Sequence, residues 1–149
     1  MNTIQADLII RSRDGSPICM VEVYNPINLS CEVAIDLRSD MIAHGILANA
    51  SYFMILSQEK GFLWKESRRK NPNALPALEF PMEDVIKRYW PRISKEDRLG
   101  SELEFIVFQW LDDLAANRLN TETEPEKSLA SYGFLKAINR ATVTFGVLL

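Results

Sequence analysis

The sequence predicts an α/β (α+β) fold, a mixed central sheet flanked by helices, and three observations carry that reading. Two β-rich runs, residues 6–11 and 18–25, flank an Asp14-Gly15 pair. An amphipathic helical stretch follows them, and then two more apolar runs of strand length, residues 52–56 and 61–65. The order strand, strand, helix, strand, strand belongs to the α/β and α+β classes. The last nine residues, 141–149, are again rich in β-branched types and read as a terminal strand.

Composition bounds the rest. With 149 residues and 47% hydrophobic content, one domain with a real core over residues 1–149 is the expectation. The formal charge of −3 and pI near 5.2 lack the bulk positive field that usually marks a nucleic-acid binder. That net value hides an asymmetry. Residues 59–100 hold ten Lys or Arg against seven acids, so a polyanion would meet the middle of the chain. Cys19 and Cys31 form neither a metal-ligand spacing nor a disulfide framework and read as reduced thiols. The N-terminal residues lack a basic region followed by an apolar run, and no stretch approaches ~18 apolar residues. The expectation is a soluble, cytoplasmic protein that does not enter a membrane.

Taken in order, the first element is a hairpin. Asp-Gly is the strongest short-range signal for a two-residue turn in which both central residues take positive φ. With Arg13 facing Ser16 and Ser12 facing Pro17, the pairs step outward until Asp7 stands opposite Glu22, with Cβ atoms roughly 5 Å apart. A four-residue loop keeps that pairing, whereas a three-residue loop moves Asp7 off Glu22. Like charges directly opposite on a sheet are unfavourable unless a cation sits between them, and a divalent metal is the obvious candidate.

Pro26 and Asn28 mark a connector, and Ser30 reads as the N-cap of a helix over about residues 31–44. Val33, Ala34, Leu37 and Met41 give that helix one apolar stripe, and Gly45 a stop. The unbroken apolar run at 52–56 suits a strand covered on both faces. Residues 66–80, with Pro72 and Pro76 and no period of either kind, read as a loop. Pro81 can open a short helix that ends before Pro91. Ser101 with Glu104 is a capping-box signature for a helix running to about Asn117, whose wide apolar face allows a homodimer contact. Residues 120–126 are polar and acidic and read as a mobile loop, and a last helix carries Leu129, Leu135 and Ile138 inward.

The run Ala6-Asp7-Leu8-Ile9-Ile10, hairpin, Val21-Glu22-Val23-Tyr24-Asn25, then helix and apolar strand, resembles the PD-(D/E)XK (restriction-endonuclease-like) nuclease superfamily, and within it an uncharacterised bacterial group frequent in cyanobacteria. Leu37-Arg38, Ala43-His44-Gly45, Tyr52-Phe53 and Leu63-Trp64-Lys65 extend the resemblance, which covers residues 6–65 well, the helical part at 81–140 and the strand at 141–149 loosely. It implies metal-dependent hydrolysis of phosphodiester bonds, with DNA as partner. Asp7 then matches the motif Asp and Glu22 the second acid, and the Val23 carbonyl adds a metal ligand. The implied cofactor is Mg²⁺ or Mn²⁺.

Two departures follow. Where the motif has a lysine this chain has Tyr24, a neutral phenol that donates a hydrogen bond but supplies no cation. Arg38 and Arg11 are the nearest basic substitutes, able to stabilise charge but hardly to act as a base. The family fold also places a helix and a strand before the Asp-bearing strand, and only five residues precede Ala6. Either those elements are missing or a later one, such as the strand at 141–149, occupies the vacant edge.

Lys65, Arg68, Arg69 and Lys70 form the best phosphate-contact candidate, a solvated loop being the alternative. His44 has no second soft ligand nearby, which disfavours zinc. The reading that follows is a nuclease-fold protein with a degenerate site, weakly active or a non-enzymatic binding module. Its alternatives are an active Mg²⁺-dependent DNA endonuclease working through Asp7 and Glu22, and a structural domain in which Arg38 relieves the carboxylate pair.

Overall fold

A three-residue loop begins the fold, and a compensating irregularity rescues the register that it would otherwise have broken. In the computed structural model, which describes residues 6–26, 28–46, 49–94 and 97–146, the first hairpin pairs β1 (Leu8–Arg11) with β2 (Pro17–Val23). Gly15 N–H donates to Ser12 O and Ser12 N–H to Ser16 O, each at 2.9 Å. The loop is therefore Arg13 to Gly15. Only Gly15, at φ +89°, takes positive φ, while the Asp14 carboxylate accepts from Ser16 N–H at 2.9 Å and from the Ser12 hydroxyl. This is a type I turn closed by a left-handed glycine and not the expected two-residue turn. It sets Arg11 opposite Pro17, but a bulge at Ile18 shifts the pairing back, so that Ile10 faces Cys19, Ile9 faces Met20 and Leu8 faces Val21. The two one-residue offsets cancel. Continued by one pair, the ladder sets Asp7 opposite Glu22 as expected.

Helix α1 (Cys31–Ala43) starts where the sequence places it, with Ser30 Oγ accepting from Val33 N–H at 3.1 Å, and Gly45 follows it at φ +73°. It connects β2 to the parallel strand β3 (Tyr52–Leu56). Strand β4 (Lys60–Lys65) returns antiparallel to β3. Next to it lies β5 (Leu78–Pro81), which corrects two expectations: part of the 66–80 stretch is a strand, and Pro81 closes that strand instead of opening a helix. At a sheet edge proline's missing N–H removes no ladder bond, which is why the pattern was hard to see. Helix α2 (Glu83–Tyr89) follows.

Helix α3 (Glu102–Ala115) buries Leu103, Ile106, Val107, Trp110, Leu111 and Leu114. Its expected capping box is absent. Ser101 is already helical and makes no side-chain cap bond, while the Glu102 carboxylate accepts from Gly100 N–H at 2.9 Å. On the expected dimer face Phe105 is 65% exposed, and Phe108 stacks on Phe145 with centroids 4.9 Å apart. The last helix is two short ones, α4 (Glu126–Ser131) and α5 (Phe134–Ala137), because Gly133 lies between them at φ +82°.

The terminal strand is β6 (Thr142–Phe145); residues 147–149 of the expected strand lie outside the described residues. It pairs antiparallel with β1, so the edge beside the Asp-bearing strand is filled from the C-terminal side. The six-stranded sheet has the order β5-β4-β3-β2-β1-β6. One face packs Leu8, Ile10, Val21, Met54 and Leu63 against the C-terminal helices, and the other packs Phe53, Ile55, Phe62 and Trp64 under α1. Among the described residues no helix is long and apolar enough to cross a membrane.

Gly61 shows how closely the edge is packed. A Cβ added there would lie 2.4 Å from the Phe80 ring and 2.6 Å from Leu56, both buried. Gly61→Ala should therefore destabilise the fold by about 1–3 kcal/mol, read as a lowered urea midpoint with unchanged slope.

Candidate functional site

The carboxylate of Asp7 takes the place of a backbone partner. At the end of β2, Tyr24 N–H donates to Leu56 O of β3 at 2.8 Å, and Val23 N–H, on the other side of the strand, donates to Asp7 Oδ2 at 2.8 Å. That bond fixes Asp7 in the bend before β1. From there it lies close enough to the carboxyls of Glu22 and of Glu104 on α3 to shift both. Three acids thus meet, with Asp7 as the link between the other two.

Their protonation follows from the crowding. Burial pushes the Glu22 carboxyl up, the neighbouring Asp7 and the charge of Glu104 push it further, and its pKa reaches about 9. Burial and the neighbouring Asp7 raise Glu104 as well. At neutral pH Glu22 therefore holds a proton that its unfolded form would release.

Carboxylates this close are the hard oxygen donors that Mg²⁺ or Mn²⁺ takes. They match such an ion in kind. Among the described residues no group of three or more His, Cys, Asp or Glu is placed to hold a metal ion, so waters would have to complete the shell of an ion held by Asp7 and Glu22.

Of the other expected residues, Val23 is buried on the face of the C-terminal helices, and Tyr24 packs half-buried into the apolar cluster under α1. Arg38 is on the covering helix, as the sequence suggests, but its guanidinium is bound elsewhere. Nε donates to Glu66 Oε2 at 3.0 Å, Nη2 to Glu66 Oε1 at 2.5 Å and Nη1 to Asn71 O at 2.7 Å. It does not relieve the Asp7–Glu22 pair. Arg11 donates to Gly15 O at 3.0 Å, beside the turn. Among the described residues no lysine or arginine makes an ion pair with Asp7, Glu22 or Glu104.

The basic cluster is at the other end of the strands. Lys65 shares a row with Tyr52 and Cys19, whereas Glu22 shares one with Ile55 and Phe62, three residues or about 10 Å further along. The cluster is also divided: Lys65 Nζ stands 5.7 Å over the Tyr132 ring, Arg68 and Arg69 are exposed, and Lys70 is half-buried beside Glu66.

Two acids were hidden from sequence reading. Glu104 looked like half of a capping box, and only its place on the helix, two positions before Ile106 and one after buried Leu103, hinted at an inward edge. Glu126, assigned to a mobile acidic loop, is fully buried, where Arg88 donates to it at 3.2 Å and Trp110 Nε1 at 2.9 Å. Compared with known proteins, the chain matches no family model, no curated protein and no solved structure.

Two outcomes follow. Because Glu22 in the fold keeps its proton up to about pH 9 against an ordinary 4.5, the native state binds more protons than the unfolded one across that window, so stability is greatest below it and falls as pH rises through it. Urea midpoints at about pH 5, 7 and 9 in a chelating buffer should decline in wild type and stay nearly level in Glu22→Gln. Arg38→Ala, which strands Glu66 at 1% side-chain exposure without its partner, should cost about 3–5 kcal/mol in the same assay, and replacing both residues by apolar ones should recover most of it.

Proposed function

We propose that this protein is a nuclease-fold module whose carboxylate centre has lost phosphodiester hydrolysis and which acts by binding. The observation that carries this reading is the company the acids keep: Glu22 and Glu104 crowd Asp7, no cation among the described residues pairs with them, and Tyr24 lies in an apolar cluster where the motif has a lysine. A centre of this kind lacks the fixed positive charge that would stabilise a phosphorane-like build-up of charge.

Support for the nuclease scaffold itself is topological. The Asp-bearing hairpin, the α1 crossover and the parallel strand β3 follow the order of the PD-(D/E)XK core. The helix and strand that the family has before the Asp-bearing strand have counterparts in α3 and β6, which pack on one another and on the hairpin from the C-terminal side. Glu104 enters the site on the first of these. In this reading the chain is a rearranged form of the fold.

The alternative, an active Mg²⁺-dependent endonuclease, is favoured by one observation: the hairpin keeps Asp7 against Glu22 despite two irregularities in its ladder. A plasmid and oligonucleotide cleavage assay with Mg²⁺ or Mn²⁺ separates the readings. Wild type should leave both substrates intact, and Tyr24→Lys, by restoring the cation, should raise cutting by about 10- to 100-fold over wild type. Clean cutting by wild type that vanishes in Asp7→Ala and Glu22→Ala would establish the active enzyme instead.

A further inference from the structure

The loop after β4 holds a second polar site that the carboxylate centre does not use. Its path is set by buried donors. Arg38, 3% exposed, grips Glu66 with two nitrogens and Asn71 O with the third, and Trp64 Nε1 donates to Ala74 O at 3.0 Å. Glu66 N–H donates to Ser51 O at 2.8 Å and ties the start of the loop to the segment ahead of β3. Between these segments lies a cavity of about 230 Å³ lined by Asn49, Ser51, Glu66, Ser67, Arg68 and Lys70.

The charges round this cavity do not balance. Glu66 is neutralised by Arg38, its bidentate partner, which leaves Arg68 and Lys70 as an excess of two positive charges in a chain whose net charge is −3. Neither side chain makes an ion pair or a hydrogen bond among the described residues. Lys70 is partly withdrawn from water, and that burial together with the nearby Arg38 charge opposes the Glu66 charge and pulls its pKa down. A half-buried ammonium facing a cavity beside a second cation gains from an anion more than a fully hydrated one does.

We infer that this cavity binds a phosphoryl group. A phosphate monoester or the free ion carries about 1.5 to 2 negative charges at neutral pH, which matches the local excess, and its oxygens suit a planar guanidinium fork next to a point-charge ammonium. Asn49 and Ser51 bring neutral donors to the same space. Because Arg38 and Trp64 pin the loop at Glu66, Asn71 and Ala74, its backbone path is set before the ligand arrives, and binding has mainly the two cationic side chains to order. The site uses neither Asp7 nor Glu22 and lies toward the other end of the strands.

The test titrates inorganic phosphate into the ¹⁵N-labelled full chain at low ionic strength with chloride held constant. Saturable shifts of the Ser67, Arg68 and Lys70 amides are expected. Arg68→Ala/Lys70→Ala should weaken binding by about 10- to 100-fold with a thermal midpoint within ~2 °C of wild type, whereas Lys136→Ala, an exposed cation elsewhere, should leave it unchanged. Competition by a nucleoside 5′-monophosphate and by a short single-stranded oligonucleotide then names the source of the phosphoryl group: the competitor that loses most affinity in the double variant carries it, and if neither competes the free ion is the ligand. Absence of saturable shifts, or equal weakening by Lys136→Ala, would overturn the assignment. Asp7→Ala should bind phosphate like wild type whichever way the cleavage assay falls, so the two proposals fail separately.

Discussion

One hydrogen bond, from Val23 N–H to Asp7 Oδ2, stands where the β1–β2 ladder stops, and much of the site depends on it. Because the chain bends at Asp7, the backbone donor at the end of β2 would lose its partner on that side, and a buried N–H without an acceptor is costly. The aspartate side chain supplies the acceptor. In doing so it is held at the end of the ladder, against Glu22 on the neighbouring strand and within reach of Glu104 on α3. A bond that serves the backbone therefore also assembles the three acids.

A second buried interaction decides where positive charge goes. Arg38 and Glu66 are almost wholly withdrawn from water, at 3% and 1% side-chain exposure, and a pair so buried is held by geometry and cannot release either partner cheaply. The pair fixes the loop that follows β4, stacks the guanidinium 5.6 Å from the Trp64 ring centre and removes this arginine from the carboxylates. Among the described residues the acidic end of the sheet is thus left without a paired cation, and the opposite end has an anchored loop carrying two.

The molecule consequently separates its charges along the strands. Acids, Glu22 among them protonated at neutral pH, gather where β2 ends, and two cations without an ion pair among the described residues stand just beyond β4. Hydrolysis at a phosphate needs both kinds of group within a few ångströms of one centre. Their separation is the physical basis for the proposal that the chain binds rather than hydrolyses.

Much of the fold is legible in the residues. Ser30 and Gly45 bound α1, and the continuous apolar run Tyr52–Leu56 announces a strand buried on both faces. These are local signals, read over a few residues at a time. Three things were not legible. The bulge at Ile18 leaves no mark in composition, and it offsets a turn whose length the Asp-Gly pair did not reveal. Strand β5 hides behind Pro81, since a sheet edge tolerates what a central strand cannot. Above all, the partners of charged residues, Arg38 with Glu66, Glu104 with Asp7 and Glu126 with Arg88 and Trp110, join positions from 16 to 97 residues apart. The chain by itself determined most of the strands and helices, because those follow from periods of 2 and 3.6 residues; the shared register of Asp7 and Glu22 survived only because a bulge at Ile18 offsets the three-residue turn. Only the tertiary structure decided which acid joins them and which cation does not, because electrostatic partners are chosen by distance in space and by what burial leaves unpaired.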